Sequence, residues 1–186
     1  LALAAFDIDR ESRLLDREKP YMELIDGIEV RKAMPLTRHG MLQGEMYAIL
    51  RLYAERRGIA GPEIRIWLTI GSIPTSLVPD VAFISSERLV GLTDSEQDRP
   101  SFAPDIAVEI RSPSDRARNI SRKIELYLAH GSRLVLDVDP AKRKIFAHDG
   151  ESVCRYGIGD TFVHDRFADL TFDVRAFFAS ADIRRR

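Results

Sequence analysis

The segment YMELIDGIEV (21–30) alternates apolar and polar residues around Asp26-Gly27, a dipeptide suited to a turn with φ > 0, so it predicts a β-hairpin. Residues 39–57 predict a helix, because Leu42, Met46, Ile49, Leu50 and Tyr53 recur at helical spacing and Gly58 follows Arg56-Arg57 as a stop. IRIWLTI (64–70) alternates with Ile64, Ile66, Leu68 and Ile70 on one side, the pattern of a half-buried strand. PDVAFI (79–84) is a further strand, apolar on both sides except for Asp80, with Pro79 at a first position where its missing N–H breaks no ladder bond. Residues 85–103 are polar and read as a surface excursion. DIAVEI (105–110) is a strand, and SPSD (112–115) breaks it and offers helix caps.

A helix follows over 117–130, with Ile120, Ile124, Tyr127 and Leu128 on its apolar face and Gly131 beyond its end. RLVLDV (133–138) is nearly continuously apolar, as in a strand covered on both faces. KIFAH (144–148) and SVCRY (152–156) are strands separated by turns, followed by a short strand near 161–164 and a helix over 173–180. The expected organisation is an arm or short helix over 1–20, a single domain over 21–180 and a basic tail over 181–186. The fold class is α/β (α+β), a central mixed sheet flanked by helices with an N-terminal hairpin.

Composition narrows the function classes. A chain of 186 residues with 45% hydrophobic and 31% charged content suits one soluble domain, and no apolar run approaches a membrane span. Cys154 is the single cysteine, which excludes an internal disulfide and a thiolate zinc site and suggests a reducing cytoplasm. The formal charge of -1 gives no global attraction to a polyanion, so any nucleic-acid partner needs a local basic patch.

Asp80 and Glu109 stand out because both sit in otherwise apolar strands, where a lone carboxylate is costly unless it is paired or bound to a cation. Two carboxylates from neighbouring strands suit a hard divalent ion such as Mg²⁺ or Mn²⁺. Strand parity puts Asp105, Ala107, Glu109 and Arg111 on one face, but Asp105 is roughly 13 Å from Glu109 along the strand, too far to share an ion. Lys123 flanks the apolar face of the next helix, three and four residues from Ile120 and Tyr127. From there its ammonium either snorkels to the carboxylates or lies in water at the helix boundary.

In order along the chain, YMELIDGIEV, PDVAFI, PDIAVEIRSPSD, RKIELYLAHG and LVLDVDP resemble the landmarks of the Uma2 family, a bacterial branch of the PD-(D/E)XK restriction-endonuclease-like superfamily. The resemblance implies a restriction-endonuclease-like core and a Mg²⁺- or Mn²⁺-dependent endonuclease acting on DNA. It assigns Asp80 and Glu109 as the motif acids and metal ligands, and Lys123 as the lysine that this branch places on the following helix. The usual superfamily lysine falls two residues after the acid, where this chain has Arg111, a group that grips phosphate but does not act as a base.

Accessory candidates are Glu23 in the hairpin, which shares strand parity with Tyr21 and Ile25, Glu45 on the first long helix, and His39, which resembles a histidine common at this helix start. The alternative function is a catalytically silent nuclease fold used for nucleic-acid binding or assembly. A homo-oligomer, such as a dimer with a groove across its two-fold axis, is the expected working form for a duplex cutter.

Overall fold

The computed structural model describes residues 21–70 and 73–182, so the expectations for the arm over 1–20 and for residues 183–186 of the tail lie outside the described residues. The hairpin is present as β1 (Met22–Ile25) and β2 (Ile28–Arg31). Asp26 and Gly27 take φ of 53° and 77°, the left-handed pair whose twist matches the strands it joins. With β4 (Ile66–Ile70) and β5 (Ile73–Leu77) the hairpin forms a four-stranded sheet ordered β2-β1-β5-β4.

A larger sheet of six strands takes β3 (Gly58–Pro62), β6 (Val81–Ser85), β7 (Ile106–Ile110), β8 (Leu134–Asp139), β9 (Lys144–His148) and β10 (Val153–Gly157), in the order β10-β9-β8-β7-β6-β3. Only β7 and β8 pair in parallel, and such a pair needs a long crossover. Among the described residues three helices precede that crossover, the long α1 (Thr37–Ala54) and the short α2 (Ser86–Leu89) and α3 (Asp94–Asp98). The crossover itself is α4 (Ala117–Ala129).

The sheet is covered on both faces. On one, Leu42, Met46, Leu50 and Ala54 of α1 pack on Val81, Phe83, Ile106, Val108 and Leu136. That core continues through Phe162 and Phe177 into β11 (Thr161–Phe162), β12 (Phe172–Asp173) and α5 (Val174–Ala179). On the other face, Ala107 and Val135 meet Ile120, Ile124 and Tyr127 of α4 and Ile66, Leu68 and Leu77 of the smaller sheet. Strand parity along β7 holds as expected: Ile106, Val108 and Ile110 face α1, while Ala107 faces α4.

Some expectations need correction. The polar stretch 85–103 is not structureless, since it carries α2 and α3, the latter opened by a Thr93–Glu96 capping box. Strands β3 and β5 were not expected. The first long helix ends at Ala54 with Glu55 as its cap, short of the expected stop, and Gly58 is instead the first residue of β3, where it pairs with Ser85. A Cβ at position 58 would collide with the Ile84 carbonyl oxygen, so only glycine lets β3 approach β6. Asp80 lies just ahead of β6 instead of within it, its N–H donating to the Val108 carbonyl at 2.9 Å. Among the described residues no helix is long and apolar enough to cross a membrane.

Two glycines give opposite expectations. Gly58→Ala should cost about 1–3 kcal/mol through overpacking against the Ile84 backbone. Gly44→Ala, inside α1 with open space where its Cβ would lie, should add about 0.5–1 kcal/mol. Urea denaturation of the two variants checks both signs.

Candidate active site

β1, the bend before β6, the end of β7 and the middle of α4 converge on one cluster of charge. Glu23, Asp80, Glu109 and Lys123 are each no more than 4% exposed. The Lys123 ammonium stands 2.6 Å from Glu109 Oε1 and 2.9 Å from Glu23 Oε1. One turn on along α4, the Tyr127 hydroxyl donates to Glu109 Oε1 at 2.7 Å, and the Val78 N–H donates to Glu23 Oε1 at 2.7 Å. Lys123 therefore reaches inward past the apolar stripe of α4, and the water-facing alternative does not hold.

Asp80 forms the other half. Its Oδ2 accepts the Ile110 N–H at 2.6 Å and lies 3.3 Å from His39 Nε2, while its Oδ1 accepts the Lys32 ammonium at 2.8 Å. Lys32 also donates to the Val78 carbonyl at 2.6 Å, and Gln43 donates to the Asp80 carbonyl at 3.0 Å. These bonds fix the carboxylate against the backbone of β7.

Burial and neighbouring charge separate the two acids. Burial disfavours the charge on Asp80, but Lys32 and His39 outweigh it and hold the carboxyl well below its usual range. Burial pushes Glu109 up to about 7 against the pull of Lys123, with the charges of Asp80 and Glu23 adding to the rise. Lys123 and Lys32 both lose solvation, yet the surrounding carboxylates keep each ammonium above its ordinary value. Burial lowers the His39 proton affinity, and its contact with Asp80 more than restores it.

Glu23, Lys32, His39, Asp80, Glu109 and Lys123 line a cavity of about 730 Å³ between the hairpin and the start of α4. Exposed Arg31, Arg116 and Arg118 line the same cavity, whereas Arg122, also on its wall, is committed to Asp26 at 2.7 and 2.8 Å. Two of the sequence candidates do not line the cavity. Glu45 is half-buried on α1 away from it, and Arg111 is bound by Asp137 at 2.7 and 2.5 Å with Asp139 at 3.6 Å. Asp105, as expected, serves elsewhere, accepting the Ser85 N–H at 2.8 Å. Sequence reasoning missed Lys32 altogether. The signal that finds it is parity, since Lys32 falls on the same side of the hairpin as Val30.

The model of the Uma2 family, described as "Putative restriction endonuclease", matches residues 9–175. The chain belongs to the Uma2 family. Its fold is shared with a crystal structure from Anabaena variabilis described as "a putative nuclease belonging to DUF820", at a TM-score of 0.78 and 22% identity, covering 88% of this chain and 93% of that one. None of the curated proteins matches the chain.

A Uma2 site of this kind implies a divalent ion, and the residues present accept one on limited terms. Among the described residues no group of three His, Cys, Asp or Glu side chains is arranged to hold a metal. Mg²⁺ keeps several of its waters and needs only one or two carboxylates, and Asp80 and Glu109 supply two hard oxygen donors to one cavity. The donor set fits a hydrated ion, not an all-protein cage.

The raised Glu109 pKa has a consequence for stability. A folded value of about 7 against an ordinary 4.5 means that the folded state binds this proton more tightly than the unfolded one. The contribution is complete below the ordinary value and is lost as pH rises through about 7. Between about pH 5 and about pH 8 this group should therefore lower stability as pH rises. His39 titrates in the same sense, so Glu109→Gln should shrink this slope without abolishing it. Urea titrations at several pH values measure the difference, and parallel slopes in both proteins would refute it.

Proposed function

We propose that this Uma2 protein is a divalent-metal-dependent endonuclease hydrolysing phosphodiester bonds in DNA. The observation that carries the reading is the convergence of Asp80, Glu109 and a doubly clamped Lys123 on one open cavity. The description of the family as restriction endonucleases supports DNA as the substrate.

Asp80 and Glu109 would hold the ion, which when bound polarises a phosphoryl oxygen and makes a water more acidic. The remaining chemistry falls to the chain's own side chains. Lys123 keeps its proton, so it serves as a fixed donor that orients the attacking water and faces the charge developing on phosphate. Glu109 takes the Lys123 and Tyr127 contacts on Oε1, which leaves Oε2 to face the ion and its water. Tyr127 holds the Glu109 carboxyl in one orientation. At the cavity, Arg31, Arg116 and Arg118 have no carboxylate partner among the described residues and are placed to grip flanking phosphates. With a formal charge of -1 overall, this local patch must supply the electrostatic affinity. Cutting both strands of a duplex takes two such centres, so the working form we propose is a homo-oligomer. The free thiol of exposed Cys154 is compatible with a reducing cytoplasm.

One observation favours the silent-fold alternative: Arg111, at the usual lysine position, is fully engaged by Asp137 and Asp139 and offers nothing to the cavity. Incubation with supercoiled plasmid and Mg²⁺ or Mn²⁺ separates the readings. Nicking should appear with wild type and fall by about 10²-fold or more in Asp80→Ala and Lys123→Met. Equal activity in wild type and Asp80→Ala would mark a contaminant, and cleavage of RNA alone would replace DNA as the substrate.

The arginines make a separate prediction. In an Asp80→Ala background, expected to bind without cutting, Arg116→Ala with Arg118→Ala should weaken binding equally across DNA sequences. The dependence of log K on log salt should shallow by about 2, one per lost phosphate contact. Fluorescence anisotropy over a salt series reads both, and an unchanged slope would remove these arginines from the interface.

A further inference from the structure

The carboxylate offered to a metal already has a cation of the chain's own. Lys32 lies just past the end of β2 and turns its ammonium into the cluster, 2.8 Å from Asp80 Oδ1 and 2.6 Å from the Val78 carbonyl. Its side chain is 13% exposed, and it lines the cavity wall. Lys123 does not need this help, because Glu109 and Glu23 already enclose it. The cluster thus holds two ammoniums, each with its own carboxylate partner, where the proposed chemistry uses one.

Charge counting shows what the second ammonium does. With all three carboxylates ionised, Glu23, Asp80 and Glu109 face Lys32 and Lys123, which leaves at most one negative charge unbalanced when His39 is neutral. A divalent ion added beside Asp80 would overshoot neutrality and stand against an ammonium on the same carboxylate. Burial sharpens that repulsion, since solvent screens it poorly. Lysine is the residue for which retreat is easiest: a compact charge on a flexible four-carbon stem, here with open cavity beside it.

We infer that Lys32 is a tethered counter-cation of Asp80 that a divalent ion must displace, so that Lys32 sets the metal affinity and cation selectivity of the site. This rests on the proposed metal-dependent reading. Lys32 acts through Asp80 and is a positioning residue. In the metal-free protein it keeps the Asp80 carboxylate ionised and aimed. In the loaded protein it stays at the cavity wall, next in sequence to Arg31.

The test is Mn²⁺ binding, followed by the electron paramagnetic resonance of the free ion, in wild type, Lys32→Met, Lys32→Arg and the double variant Lys32→Met with Asp80→Asn. Removing the competing charge should tighten the Mn²⁺ Kd of Lys32→Met by about tenfold. Lys32→Arg, which keeps a cation on Asp80, should bind no tighter than wild type, and the double variant should lose the gain. A merely structural role for Lys32 would leave Kd unchanged or weaken it, and either result overturns the inference while leaving the metal site standing. Absence of Mn²⁺ binding in both wild type and Lys32→Met would overturn the inference and the metal-dependent reading together. If circular dichroism shows Lys32→Met unfolded, the wild type supplies the answer. Acetylation of Lys32, read by mass spectrometry, should speed up when Mn²⁺ is added, and an unchanged rate overturns the displacement.

Discussion

Three carboxylates buried around one cavity set the terms for the rest of this molecule. Glu23, Asp80 and Glu109 come from three separate backbone segments, and none could be withdrawn from water without a cation or donor at its side. Lys123 and Lys32 provide the charge, while Tyr127 and the Ile110 and Val78 N–H groups provide the directed bonds. The consequence is architectural as well as chemical. Glu23 and Lys32 belong to the hairpin of the small sheet, Asp80 and Glu109 to the large sheet, and Lys123 to the crossover helix. The ion cluster therefore pins three layers at one point. Loss of a single partner would leave a buried charge uncompensated, commonly a cost of about 3–5 kcal/mol.

What the sequence reveals about this arrangement follows the range of the forces involved. The hairpin was legible because Asp26-Gly27 is a local solution to a local problem, the φ > 0 turn. The side of β7 that carries Glu109 was legible because strand parity is rigid. Lys123 was half legible: the helical wheel put it beside the apolar face, but only the packing of α4 over β7 turns its ammonium inward. Lys32 was not legible in the same way. In the run Glu29, Val30, Arg31, Lys32 it looks like a solvated charge, and its partner lies 48 residues away. Strands β3 and β5 were hidden for a different reason. GIAGP and IPTSL carry glycine, proline and small polar residues, and they become strands because their neighbours demand pairing, not through propensity.

Arg111 shows how one substitution is absorbed by the fold. Position 111 continues the Glu109 face, and the parallel register sets Asp137 opposite Glu109 and Asp139 one step further along. Two carboxylates on one face of β8 need a partner that can bridge them. The planar fork of arginine meets both, with two bonds to Asp137 and a longer contact to Asp139, a task that the point charge of lysine performs less well. Having taken that role, the side chain is drawn sideways along the sheet and away from the cavity. The cations for the acidic pair then come from elsewhere, Lys123 of α4 for Glu109 and Lys32 past the hairpin for Asp80.

The pairing of Lys123 with two carboxylates instead of one bears on how a single ammonium can serve in both states of the proposed site. If Glu109 alone held it, drawing that carboxylate toward a divalent ion would leave Lys123 buried without a counter-charge, and burial would favour loss of its proton. Glu23 removes that difficulty. It sits 2.9 Å from Nζ, is itself fixed by the Val78 N–H, and belongs to a strand that does not contribute to the Asp80–Glu109 pair. In the proposed site Lys123 would therefore keep a carboxylate partner when Glu109 turns to the ion. The accessory glutamate of the hairpin is, in the structure, a second carboxylate partner of the lysine.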